Sequence, residues 1–224
     1  LICGSAGNIL DYVTSQDVVT FTGSAATGLK LKSHAAILSE SVPFNMEADS
    51  LNCIVLAPDA EPGNLEWDIF IKEVKKEMTV KAGQKCTAIR RIFVPENKME
   101  DAWKAIAVEL DKTTIGNPLN EKVRMGSMAG LTQREEVRAQ VQKLLASSAV
   151  IYGSLESVNV VDADAIEGAF LSPLLLLNKE PFAREESHNI EAFGPVSTIM
   201  PYKNMDEAIE LSKKGKGSLC SSIV

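Results

Sequence analysis

Short apolar runs alternate along this chain with longer stretches of helical period, and that alternation limits the folds open to it. Val18-Val19-Thr20-Phe21-Thr22 is β-branched, aromatic and closed by Gly23, which predicts a buried strand. Residues 52–56, 91–95, 149–153, 196–200 and 219–224 read the same way. Helical runs lie at 29–38, 65–80, 98–110, 131–146 and 205–214. In the second of these, Leu65, Ile69, Phe70, Val74 and Met78 recur near helical spacing. In the third, Met99, Trp103, Ile106 and Leu110 share one face. Thr132, with Glu135 three residues on, predicts a capping box at the head of the fourth. Residues 169–177 read as extended, 114–130 as loop, and 185–192 as a polar loop or short helix. Strands interleaved with helices of this length specify an α/β fold, with three αβα layers around a largely parallel sheet.

The chain has 224 residues, room for one large domain or two small ones. A boundary falls near residues 47–50, where one βα unit ends and a longer series begins. The net charge is −7, and no lysine–arginine cluster forms a track for a phosphate backbone, so nucleic acid is not an expected partner. No apolar run approaches the roughly 18 residues that would cross a bilayer. Cys3, Cys53, Cys86 and Cys220 show no C-x-x-C spacing, and His34 and His188 have no partner pattern. No metal site is expected from them, and the scattered cysteines read as reduced thiols of a reducing, cytoplasmic compartment. Cys53 and Cys220 sit in apolar strand contexts and are read as core; Cys3 has no assigned role. The start at Leu1, and an end at Val224 within an apparent strand, predict a piece of a longer protein.

Two loops hold the candidate chemistry. In Lys81-Ala82-Gly83-Gln84-Lys85-Cys86-Thr87 a thiol follows a Gly-Gln pair that ends a helix. Upstream, Glu47 lies in Asn45-Met46-Glu47-Ala48-Asp49-Ser50, read as a loop. A thiol and a carboxylate supply a nucleophile and a base for acyl chemistry. Each also has a plain structural reading: cysteine as a small buried hydrophobe, Glu47 as a solvated or capping acid. Lys85 is read as an exposed lysine. The third candidate is the turn Gly23-Ser24-Ala25-Ala26-Thr27-Gly28. Strand, glycine turn and helix together aim N–H groups at a phosphate, although ordinary tight βα turns use the same residues.

Four stretches, taken in order, resemble the aldehyde dehydrogenase superfamily. Phe21-Thr22-Gly23-Ser24-Ala25-Ala26-Thr27-Gly28 is similar to its cofactor turn, and Glu47 to its general base. Gly83-Gln84-Lys85-Cys86 is similar to the stretch with its catalytic thiol, and Glu191-Ala192-Phe193-Gly194-Pro195-Val196 to a segment contacting the nicotinamide ribose and ring. The resemblance implies an aldehyde dehydrogenase-like catalytic domain over 49–224, and the end of a Rossmann-like dinucleotide-binding domain over 1–48. It implies catalytic roles for Cys86 and Glu47, cofactor contacts from Gly23, Ser24, Glu191 and Phe193, and NADP or NAD as cofactor. It further implies a small-molecule aldehyde substrate and a homo-oligomeric full-length protein. Glu47-Ala48-Asp49-Ser50 stands where most members have Leu-Gly-Gly after the base. That departure resembles the branch that oxidises CoA-linked semialdehydes from aromatic-acid degradation, as in phenylacetate ring opening, typically with NADP. A CoA-acylating relative, disfavoured by the retained Glu47, and a non-catalytic α/β interaction domain remain the alternatives.

Overall fold

A computed structural model describes Leu1 and residues 3–224, in two compact units, Leu1–Asp49 and Ser50–Val224. In the first unit, β1 (Val19–Gly23) pairs in parallel with β2 (Phe44–Ala48), Val19 opposite Phe44 and Gly23 opposite Ala48. The helix expected over 29–38 is instead two, α1 (Ala25–Lys32) and α2 (Ala35–Ser39). Local polar groups break it: the Ser33 amide donates to Leu29 O, and His34 Nδ1 accepts the Ala36 N–H at 3.3 Å, starting a new helix. The loop expected around Glu47 is strand β2. Phe44, Met46 and Ala48 are partly buried there while Asn45 and Glu47 face solvent, the period-two pattern of a half-buried strand. Gly28 is buried, and a Cβ there would lie 2.4 Å from Met46 Sδ, so glycine permits the close approach of α1 to β2.

The second unit holds a six-stranded sheet. Its strands are β3 (Cys53–Val55), β4 (Arg91–Pro95), β5 (Ala149–Tyr152), β6 (Leu174–Leu177), β7 (Val196–Tyr202) and β8 (Ser221–Ile223). Their order is β5-β6-β7-β4-β3-β8, and every pairing is parallel except β5 with β6. Helices α3 (Leu65–Thr79) and α4 (Met99–Asp111) cover one face. Trp67, Phe70, Val74 and Met78 of α3, with Ile106 and Leu110 of α4, pack there against Ile54, Ile92, Val94 and Ile199. On the other face, α5 (Leu131–Leu144) sets Val137 and Val141 against Leu174 and Leu176, while α7 (Met205–Lys213) sets Leu211 against Val55 and Phe93. This is the expected three-layer αβα arrangement. Burying a side chain such as Phe70 contributes roughly 2–3 kcal/mol, and the wholly buried strand β4 has no polar face because both sides are covered.

Asn64 caps α3 by accepting the Trp67 N–H at 2.9 Å. The capping box expected at Thr132 does not form. Helix α5 starts at Leu131, with its N-cap at Gly130, two residues before Thr132, and Glu135 pairs with Arg134 and Arg138 instead. The polar stretch near 185–192 holds a single turn, α6 (Glu186–Asn189). Cys53 is buried as expected; Cys220 is exposed, because it enters β8, an edge strand whose residues are all exposed. Among the described residues no helix is long and apolar enough to cross a membrane.

Candidate active site

Cys86 is exposed, on a turn between α3 and β4. Its approach is a run of left-handed residues, Lys81 (φ 54°), Ala82 (φ 51°) and Gly83 (φ 68°). Held in non-glycine residues, such φ values cost on the order of 1–3 kcal/mol each and persist only where the surroundings impose them. Here they do. A Cβ on Gly83 would fall 2.2 Å from Gly194 O, so the loop rests directly on the backbone of the Glu191 segment. Gln84 Oε1 accepts the Ala129 N–H at 2.8 Å. Lys85 is not an exposed lysine: it is largely buried and paired with Glu77 of α3 at 2.7 Å. The thiol therefore projects from a loop whose neighbours are all engaged.

Two buried polar side chains complete that support, and neither stands out in the sequence. Asn52, 1% exposed, donates through Nδ2 to Cys86 O (2.9 Å) and Ala88 O (3.0 Å). Its Oδ1 accepts from Ser50 Oγ and from the Leu219 and Cys220 amides at 2.7, 3.1 and 2.9 Å. Arg90 donates through Nη1 to Gly194 O (2.6 Å), through Nη2 to Gly83 O (2.8 Å), and through Nε to Glu191 Oε1 (3.3 Å). Burial pushes its guanidinium below its ordinary value, and Glu191 acts the other way. Glu191 also accepts the Ser50 N–H through Oε2 at 3.1 Å. Phe193 lies over Arg90, with the guanidinium carbon 5.4 Å from the ring centre, and its ring is 41% exposed. The structure thus brings Cys86, Glu191 and Phe193 into one network.

The neighbouring Arg91 serves the fold. It donates to Leu51 O, Leu211 O and Ser212 O, and through Nη1 to His188 Nδ1 at 3.2 Å. His188 Nε2 lies 2.9 Å from Pro181 O, so the neutral ring with its proton on Nε2 satisfies both contacts. Burial, aided by the Arg91 charge, pushes His188 down to about 4.

In the first unit, Ser24 caps α1, its Oγ accepting the Thr27 N–H at 3.2 Å. The Ala25 N–H goes to Asp49 Oδ1 at 3.0 Å, with Asp49 itself at φ 37°. Exposed Glu47 points from β2, one residue before its end. The donors of this turn are therefore served from within the unit, and a phosphate would have to displace the Asp49 carboxylate from Ala25. Glu191 and Phe193 form a buried carboxylate that accepts from Arg90 and Ser50, beside an exposed aromatic side chain. The glycine turn is a local pattern in the sequence, and the Glu47 stretch reads there as a loop; Asn52 and Arg90 act over long sequence separations that no local pattern marks.

The sequence matches the profile of the aldehyde dehydrogenase family over residues 1–224. It is 41% identical to a 3,4-dehydroadipyl-CoA semialdehyde dehydrogenase of Aromatoleum evansii, over 100% of this chain and 43% of that protein. It is 29% identical to a putative aldehyde dehydrogenase of Staphylococcus haemolyticus, over 97% of this chain and 43% of that one. The structure of an apo betaine aldehyde dehydrogenase mutant from Staphylococcus aureus superposes with a TM-score of 0.82 at 22% identity, covering 95% of this chain and 41% of that one. The chain thus spans less than half the length of the relatives it matches.

Proposed function

The chain belongs to the aldehyde dehydrogenase family, and from that premise we propose that it carries the thiol, the base and part of the dinucleotide grip of a protein that oxidises an aldehyde to a carboxylic acid. The observation that carries the reading is the exposed Cys86 thiol, held on a strained loop that shares one hydrogen-bond network with Glu191 and Phe193. Cys86 adds as thiolate to the aldehyde carbon, forming a C–S bond and a thiohemiacetal. A bound NADP or NAD would supply the hydride acceptor needed to take the carbon to a thioester on Cys86. Glu47 takes a proton from the water that attacks this thioester, releasing the acid and the free thiol. Glu191 accepts hydrogen bonds from the ribose hydroxyls, and Phe193 packs on the ring, which is positioning work. Gly23 and Ser24 line the cofactor path. On this reading, residues 1–48 close a dinucleotide-binding domain and residues 49–224 form the thiol domain of a cytoplasmic, homo-oligomeric protein.

The similarity to a CoA-linked semialdehyde dehydrogenase over the whole chain supports a CoA-linked semialdehyde as substrate. The test uses the full-length protein containing this chain. Reduced dinucleotide is followed with a CoA-thioester semialdehyde and with a free aldehyde of matching length, in NADP and in NAD, and the acyl adduct is trapped by acid quench for peptide mass spectrometry. The expected adduct lies on the Cys86 peptide and the expected product is the acid. An adduct elsewhere would overturn the assignment, and release as a new CoA thioester would place the protein with the acylating relatives.

A further inference from the structure

We propose that Arg90 is a positioning residue that fixes the spacing between the nucleophile loop and the dinucleotide-contacting segment, so that Cys86 and Glu191 are set by one guanidinium. The inference rests on the roles given above to those two residues.

The backbone of Arg90 is fixed at the sheet: its N–H donates to Asn52 O at 3.0 Å and its carbonyl accepts the Thr198 N–H at 2.8 Å. From that anchor the side chain, 4% exposed, reaches two segments that are far apart in sequence. One is the thiol loop, through Gly83 O at 2.8 Å and Lys85 O at 3.4 Å. The other is the segment 191–195, through Gly194 O at 2.6 Å, Glu191 Oε1 at 3.3 Å and the face of Phe193. The two segments already touch where only glycine fits, at Gly83 against Gly194. A planar fork spreads its donors over three nitrogens and so reaches both carbonyls and the carboxylate from one side chain, whereas an ammonium gathers its three donors at a single atom and would have to sit central to all three acceptors. The Arg90 contact uses Oε1 of Glu191 and the Ser50 amide uses Oε2, which fixes the carboxylate plane. Removing the fork therefore frees the carboxylate and the thiol loop together, whereas removing only the Glu191 charge leaves the loop's carbonyls held.

The test compares Arg90→Lys, Arg90→Ala and Glu191→Gln in the full-length protein. Dinucleotide Kd is read from cofactor fluorescence, Cys86 alkylation by iodoacetamide from peptide mapping without cofactor, and folding from thermal melts. Arg90→Lys is expected to weaken dinucleotide binding roughly tenfold, the scale of one lost charge-assisted hydrogen bond, and to change the Cys86 alkylation rate in the same variant. Glu191→Gln is expected to weaken dinucleotide binding and leave alkylation near wild type. Millimolar guanidinium should restore both properties to Arg90→Ala, and sodium chloride at equal ionic strength should not. A folded Arg90→Lys with wild-type Kd and wild-type alkylation would overturn the inference. If the Arg90 variants do not fold, hydrogen exchange of the unaltered protein decides: amides 83–90 and 191–195 should open as one unit, and independent opening overturns it. Cys86→Ser without activity beside an Arg90→Lys indistinguishable from wild type sinks this inference alone; full activity in Cys86→Ser sinks the site reading and this with it.

Discussion

The two units place their candidate residues at opposite ends of their strands. In Leu1–Asp49, Gly23 closes β1, Ser24 follows it, and Glu47 lies next to the end of β2. That is the carboxyl edge of a parallel pair, where open α/β sheets present their ligand crevices. In Ser50–Val224, the residues 50–52, 83–90, 191–195 and 219–220 precede β3, β4, β7 and β8, four mutually parallel neighbours. Its site therefore lies at the amino edge. The carboxyl-edge turn is held by local devices, a serine cap and an aspartate on the first amide of α1. The amino edge has no helix start to rely on, and buried Arg90 and Asn52 tie its loops together across the sheet. The first draws its partners from within 24 residues, the second from segments up to 168 residues apart.

The largest expected effect divides the labour between the units. Cys86→Ser in the full-length protein should lower dehydrogenase turnover by roughly 10³-fold or more while leaving the melt unchanged, because the thiol is exposed and is the proposed nucleophile. Substantial residual activity would break the assignment of chemistry to the amino edge.

Next in size is a pH effect confined to the second unit. Its His188 is held neutral down to about 4, against an ordinary value of 6.5. Between those values the unfolded chain binds a proton that the folded chain does not. The stabilisation is thus complete above pH 6.5 and lost as pH falls towards 4, by up to about 3 kcal/mol. Chemical denaturation across that range should show the slope, and His188→Gln should flatten it; an equal slope in the variant would place the titration elsewhere.

Glu47→Gln tests the carboxyl edge. The first-turnover burst should survive while steady-state turnover falls about a hundredfold, since only hydrolysis needs the base. A lost burst with normal hydrolysis would reassign Glu47. A smaller loss, of about 2 kcal/mol, is expected for Asn52→Ala, which takes the Asn52 acceptor from the Cys220 amide and the Asn52 donor from the Cys86 and Ala88 carbonyls. A melt shift under a degree would show that the amino edge does not depend on this hub. Smallest is Gly28→Ala, where the added methyl meets the flexible end of Met46. A loss of about 1 kcal/mol in the first unit is expected from urea titration, and a loss several times larger would reveal packing there as rigid as in the second.

The sequence alone determined the alternation of strands and helices, the α/β class and the apolar faces of α3 and α4, because these depend on periods of two and of about 3.6 that a linear pattern records. It also marked Cys86, Glu191 and the Gly23 turn, because each lies in a short contiguous motif. Tertiary structure decided the rest. Glu47 lies in a strand because β1 is there to pair with it; α1 and α2 separate because Ser33 and His34 find backbone partners; Thr132 misses its capping role because the cap of α5 falls at Gly130; Cys220 is exposed because β8 is an edge. The buried charges at positions 90 and 91 have no partner marked by the linear pattern. Their partners, at 83, 188, 191, 194 and 211, are fixed only when the sheet brings its amino edges together. A buried guanidinium is tolerated only where carbonyls and carboxylates converge, and that convergence is a property of the fold.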